Sequence, residues 1–382
     1  MKMELMKWEI KKIWSVPGIS GFLLLCVLFN IFLIAGDDYG VDYVQYVAGA
    51  SQITGMQMGE LFEAQAENLP EHEYKEIFLA ETKGKQDIFE NYDTAALGDS
   101  WIGLYRMSGF VENMLQQKFQ KLQARIDELD ERDASLNLGA AGMTKILLNG
   151  LFSKLFKAVL TEGMLAAILI ALYACSNEKM QRTHLLVYSS KRGRYIQKEK
   201  FTAALVSAVS AYLALAGSAV LFFAGFWKMG SVWNMDMSSL FYHVNDGLGL
   251  KIPFVSWTDF TVAGYLCAMT ALGIVVVGIS AGLGFFAGLI FQNALTGFLF
   301  VIIIIAMNLQ MISYAGNSGI WELYELLQWT FAAFWWNQPV WFSELGVSTL
   351  LPWQTCHTAV VCLACCVIML YGSFRYFYKK EL

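Results

Sequence analysis

Six apolar runs, at about Gly18–Gly36, Leu155–Cys175, Phe201–Trp227, Phe260–Phe291, Ala294–Tyr314 and Cys356–Tyr376, punctuate the chain. Each carries roughly the 20 residues that a helix needs to cross a hydrocarbon core of about 30 Å. The pattern predicts an all-α integral membrane protein with six transmembrane helices. Between the first and second runs lies a polar stretch, 37–154, with helical periodicity of its own. After Pro70, the residues Glu71, Glu73, Lys75 and Glu76 precede Ile77, Phe78, Ile88 and Phe89, which reads as one amphipathic helix interrupted near Gly84. From Val111 the apolar positions continue through Leu115, Phe119, Leu122, Ile126 and Leu129, a seam suited to packing against another helix. The expectation is a helical insertion, arranged as an antiparallel hairpin, that returns to the membrane through Gly139–Gly142.

Charge orients these elements. Lys2, Lys7, Lys11 and Lys12 precede the first run. Lys179, Arg182, Lys191, Arg192, Arg194, Lys198 and Lys200 lie between the second and third, and Arg375, Lys379 and Lys380 close the chain. Only Glu4, Glu9, Glu178, Glu199 and Glu381 oppose these 14 cations, whereas 37–154 holds 20 acidic and 10 basic residues. The overall charge of −5 therefore hides a sharp division. Cations stay on the cytoplasmic side, so both termini are expected there and 37–154 outside. The first run lacks the short core and small-residue cleavage site of a secretory signal and reads as a signal anchor. Ahead of it, Met3, Met6, Ile10, Ile13 and Trp14 recur at helical spacing, which predicts an interfacial helix ended by Pro17. The resulting organisation is 1–36 as interfacial helix and first span, 37–154 as outer helical domain, and 155–382 as spans two to six.

Several chemistries are excluded by what the chain lacks. No Gly-x-x-x-x-Gly-Lys-Ser/Thr occurs, so the chain has no P-loop to cradle nucleotide phosphates. Four histidines, His72, His184, His243 and His357, are scattered over different segments and suggest no metal site. All seven cysteines fall in or beside apolar runs, and Cys362-x-x-Cys365-Cys366 reads as small apolar filler. An enzyme is not expected, nor a cofactor in this chain, nor nucleic acid as a partner. The outer domain could capture substrate, dock a partner, shield an exit or serve as an inert cap.

The most specific stretch is Cys175–Lys200, CSNEKMQRTHLLVYSSKRGRYIQKEK. Glu178 follows a membrane exit, then come Arg182, Thr183, the apolar Leu185 and Leu186, and the turn Ser190-Lys191-Arg192-Gly193-Arg194. This is the make-up of a short amphipathic helix with a glycine turn and basic anchors. With six spans, a basic tail and a large insertion after the first span, it resembles the permease subunits of bacterial ABC transporters of the type-two exporter family. Arg182 stands where that family has a small residue before the threonine. The resemblance implies that 176–200 is a coupling loop docked on separate cytoplasmic ABC ATPase subunits, which would bind ATP and Mg. It further implies a second permease subunit, identical or not, and residence in the bacterial plasma membrane; it does not identify the cargo, for which a peptide or lipid-like compound is the expectation. A non-transporting membrane sensor or scaffold, whose outer domain binds a ligand or partner, is the alternative reading.

Inside the membrane, Gly278-x-x-x-Gly282 and Gly284-x-x-x-Gly288 are spacings that permit close helix approach, within one subunit or between two. Lys157 and Glu162 fall early in the second span. Snorkelling accounts for Lys157, and Glu162 is the candidate pathway or buried polar residue. Half of the 12 tryptophans lie in 315–355, where with Glu322 and Glu325 they suggest short helices in the outer leaflet, anchored at headgroup level.

Overall fold

A computed structural model describes all residues except Met1, 37–39, 60, 84–88, 90–91, 133–136, 139–147, 190–192, 194, 238–241, 246–249, 254, 345 and 380–382. The predicted return through Gly139–Gly142 therefore falls outside the described residues. Among the described residues, six helices are long and apolar enough to span a bilayer, as the sequence pattern requires of a multi-pass membrane protein: α2 (Pro17–Ala35), α8 (Phe156–Met180, continued upstream by a π-helical turn, Gly150–Leu155), α10 (Ile196–Trp227), α11 (Val262–Phe291), α12 (Ala294–Asn317) and α15 (Gln354–Lys379). Before them comes α1 (Lys2–Trp14). Pro17 opens α2 at a position where its missing N–H is no loss.

Helix α8 is the axle of the bundle. It is the most enclosed of the spans, and α2, α10, α11 and α12 all pack on it, leaving α2 and α12 as the least covered. The glycines of α11 explain how closely the helices approach. A Cβ on Gly284 would sit 2.8 Å from the Ile168 carbonyl of α8, and one on Gly288 would sit 2.9 Å from Cys175 Cβ. A Cβ on Gly282 would collide with the Cys366 sulfur of α15, while Gly278 meets Leu205 of α10 at an ordinary 3.8 Å. All four thus face helices of the same chain.

The connection between α11 and α12 is as short as it can be. Gln292 takes a left-handed conformation (φ 51°) and Asn293 caps α12, its side chain accepting from the amides of Leu295 and Thr296. Such capping stops one helix and starts the next within two residues.

At the end of the bundle away from the termini, the described residues of 37–154 form α3 (Val41–Thr54), α4 (Phe62–Glu67), α5 (Lys75–Thr82), α6 (Thr94–Tyr105) and α7 (Phe110–Glu131). The expected helix over 71–89 ends at Thr82, and Phe89 lies beyond it in a bend. Its Phe78 packs with Phe62 and Tyr46 in the core shared with the spans. The hairpin partner of α7 is α6 instead, reached through Arg106 and Gly109 in left-handed conformations. Every seam residue from Val111 to Leu129 is buried. Their core also takes in Trp101, Ile102, Val255, Trp321 and Leu350, so it draws on later segments of the chain. The rest of the distal structure comprises a two-stranded antiparallel hairpin (Tyr242–Asn245 with Leu250–Pro253), α13 (Trp321–Leu327) and α14 (Phe331–Trp336).

Candidate functional site

The loop between α8 and α10 is built from two helix ends held together by charge. Glu178, in the last turn of α8, forms an ion pair with Lys200 of α10, and both side chains are almost fully enclosed. The Lys200 ammonium also donates to the Ala174 carbonyl at 3.1 Å, so it ties down one of the last carbonyls of α8. A charge pair so enclosed is a strut: removing one member leaves the other desolvated and uncompensated. Arg182 then reverses the chain in a left-handed conformation (φ 59°), and the Thr183 amide donates back to the Glu178 carbonyl at 2.8 Å. Thr183 in turn accepts from the Val187 amide as the short helix α9 (His184–Ser189) begins.

This geometry divides the residues singled out from the sequence. Glu178 and Gly193 are buried, so they hold the loop and present nothing to a docking protein. Arg182, Leu185 and Leu186 are exposed, Leu186 by 78%. Ser190, Lys191, Arg192 and Arg194 lie outside the described residues. Helix α1 braces the same end: Ile13 is buried, and Glu9, also buried, accepts from Lys12 at 2.8 Å. Trp8 is exposed on the other side of α1, and Trp14, in its last turn beside Ile10, is partly uncovered at 38%. Tyr195 stacks near Tyr378 (4.9 Å between rings), and Lys179 donates to Gln292 at 3.1 Å, so the α11–α12 turn and the end of α15 share this pole of the bundle.

Within the spans, Glu162 is buried and accepts from Asn30 Nδ2 of α2 at 2.8 Å. Sequence reasoning passed over Asn30, although it is the one amide in the Gly18–Gly36 run. Lys157 is half-buried near the distal end of α8. Its ammonium donates to the carbonyls of Trp335 (2.5 Å) and Trp336 (2.9 Å) and lies over the Trp335 ring, which places a cation at the C-terminus of α14.

The distal end holds a second set of buried charges that sequence reasoning missed. Lys118 of α7 donates to Glu344 at 2.6 Å and to the Gly346 carbonyl. Arg125, also of α7, donates to the Ser256 carbonyl at 3.2 Å and pairs with Asp259 and Glu128, and Arg132 joins both carboxylates. Burial raises the Asp259 carboxyl, but hydrogen bonds from Arg125 and Arg132 outweigh it and hold the group below the ordinary carboxylate range. A signal for this existed. Lys118 and Arg125 stand seven residues apart, each directly before a seam residue, and so flank the apolar stripe at its buried edge. Tryptophans expected to be simple anchors also act as struts here. Trp341 is fully buried and donates to the Phe334 carbonyl, and Trp321 donates to the Tyr105 carbonyl at 3.1 Å.

Against known proteins, no family model, no curated protein and no solved structure matches this chain.

Proposed function

We propose that the chain is the membrane-spanning subunit of an ATP-driven exporter, a permease moved by ATPase subunits that dock on the loop between α8 and α10. The observation that carries this reading is the exposed Leu185–Leu186 pair, on a short helix clamped to two spans by the buried Glu178–Lys200 pair. Two adjacent leucines with their side chains exposed are a docking feature. A clamp at the base passes displacement of α9 directly into α8 and α10. In this reading the pole bearing the termini is cytoplasmic, the distal helices face outside, and the substrate is a peptide or a lipid-like compound. Export places a second permease beside this one, because six helices make only half of an enclosing wall. The sparsely covered α2 and α12 are the surfaces left for that subunit or for lipid.

The test is affinity capture of the solubilised protein, co-expressed with the ATPase encoded nearest to it, followed by measurement of ATP hydrolysis. Wild type retains a P-loop ATPase and its turnover. Leu186→Glu loses both while inserting and melting as wild type does. If no nucleotide-binding protein associates with wild type, the sensor or scaffold reading replaces this one.

A further inference from the structure

A groove of about 550 Å³ opens at the distal end of α12, between that span, the end of α6 and α13. Its volume falls within the range of small-molecule sites. One wall is polar. Gln310, Ser313 and Asn317 recur at helical spacing and so share one face of α12, where they are exposed. The facing wall is aromatic and rigid. Trp321 is fixed through its N–H to the Tyr105 carbonyl, Tyr105 stacks on Trp101, and Tyr324 is tied by its hydroxyl to Ser348 at 2.8 Å. Gly316 lets the Tyr324 ring lie against α12, since a Cβ there would come within 3.3 Å of it.

Two further observations narrow the occupant. No side chain lining the groove is charged among the described residues. The Gln310 amide has no hydrogen-bond partner among them either, although it stands seven residues inside the span's end at Asn317, about 10 Å below it. On a helix apolar enough to span a bilayer, an unpaired amide facing a groove is a ready partner for a hydrogen-bonding group carried in by a ligand.

We propose that this groove binds a membrane lipid with an uncharged, hydroxyl-bearing headgroup, of the glycosyl diacylglycerol class. The hydroxyls bond to Gln310, Ser313 and Asn317, the sugar's C–H face lies on the fixed rings of Trp321 and Tyr324, and the acyl chains run down the apolar surface of α12. A phosphate would be desolvated here with no cation to meet it. The site stands independently of the transport reading.

The experiment reconstitutes the full chain in phosphatidylcholine nanodiscs containing one brominated lipid at equal mole fraction: a galactosyl diacylglycerol, phosphatidylcholine or phosphatidylglycerol. Quenching of tryptophan emission is then read, with Trp321 and Trp336 lining the groove as reporters. The galactolipid is expected to quench more than either phospholipid. That excess should disappear in Gln310→Leu and fall in Asn317→Ala, while quenching by phosphatidylcholine stays unchanged. Both positions are exposed, so neither variant should disturb folding. Equal quenching by all three lipids overturns the proposal, as does stronger quenching by phosphatidylglycerol. An excess that survives Gln310→Leu overturns it too. So does loss of self-association in that variant with no lipid preference in wild type, which would mean a second copy fills the groove.

Discussion

Lys118 and Glu344 meet at 2.6 Å across 226 residues of sequence, with the lysine side chain fully enclosed and the glutamate nearly so. The pair pins the α6–α7 hairpin to the segment that precedes α15. Losing one member of a buried pair costs about 3–5 kcal/mol, whereas replacing both by apolar groups is often close to neutral. Lys118→Met should therefore lower the unfolding midpoint sharply, and Lys118→Met with Glu344→Leu should recover most of the loss. Thermal unfolding of the purified variants measures this. Additive losses in the double variant would show that the pair is not coupled.

Acidity should act on the same joint through Glu325. Its carboxyl is buried, neither oxygen has a hydrogen-bond partner among the described residues, and burial pushes it up to about 8 against the pull of the Lys118 ammonium. Glu344 already engages that ammonium, so two carboxyls share one cation. Between the ordinary value of 4.5 and about 8, the folded chain keeps a proton that the unfolded chain has released. Stability should then fall as pH rises across that window and level off above it. Melting temperatures recorded from pH 5 to 9 should show the decline in wild type and lose most of it in Glu325→Gln. Asp259, held low by its arginines, contributes in the opposite sense and only in acid, below its ordinary 3.8.

At the other pole, Glu178→Gln or Lys200→Met should loosen the loop without unfolding the bundle. Each leaves a buried charge unmatched, at about 3 kcal/mol or more, and the strain falls on the residues that the pair clamps. Limited proteolysis within 181–195 should accelerate at least several-fold in either single variant. It should return towards wild type in Glu178→Leu with Lys200→Met. Unchanged cleavage in the single variants would remove the strut from the account.

The glycines of α11 should not be equally replaceable. Gly284→Ala drives a methyl into the Ile168 backbone of α8, which cannot swing aside, and Gly278→Ala meets only the end of Leu205 at 3.8 Å. Overpacking of this kind costs about 1–3 kcal/mol. Gly284→Ala should melt lower than wild type and Gly278→Ala within error of it. The reverse order would mean that these spacings serve a contact outside the chain.

The spans were legible because their signal is local. Length, hydropathy and the Pro17 boundary put six helices within a few residues of where they lie. The α7 seam was legible for the same reason, since its period survives without knowledge of its partner. What it packs against was not, because Val255, Trp321 and Leu350 come from distant segments that carry no complementary pattern. Glu178 was placed just past a membrane exit in the coupling loop, and only the return of the chain as α10 brings Lys200 over it. The partners of Lys157 were not legible, because they are carbonyls of Trp335 and Trp336, and backbone acceptors leave no trace in side-chain chemistry.

The bonds that α7 makes to Ser256, Asp259, Glu344 and Gly346 have an engineering consequence. They staple three separate excursions of the chain into one body, so the distal helices are not a detachable cassette. Excising 94–131 and closing the gap with a flexible linker would strand Glu344 and Glu325 without their cation and strip the cover from Val255 and Trp321. A graft between related proteins would have to carry all three excursions together.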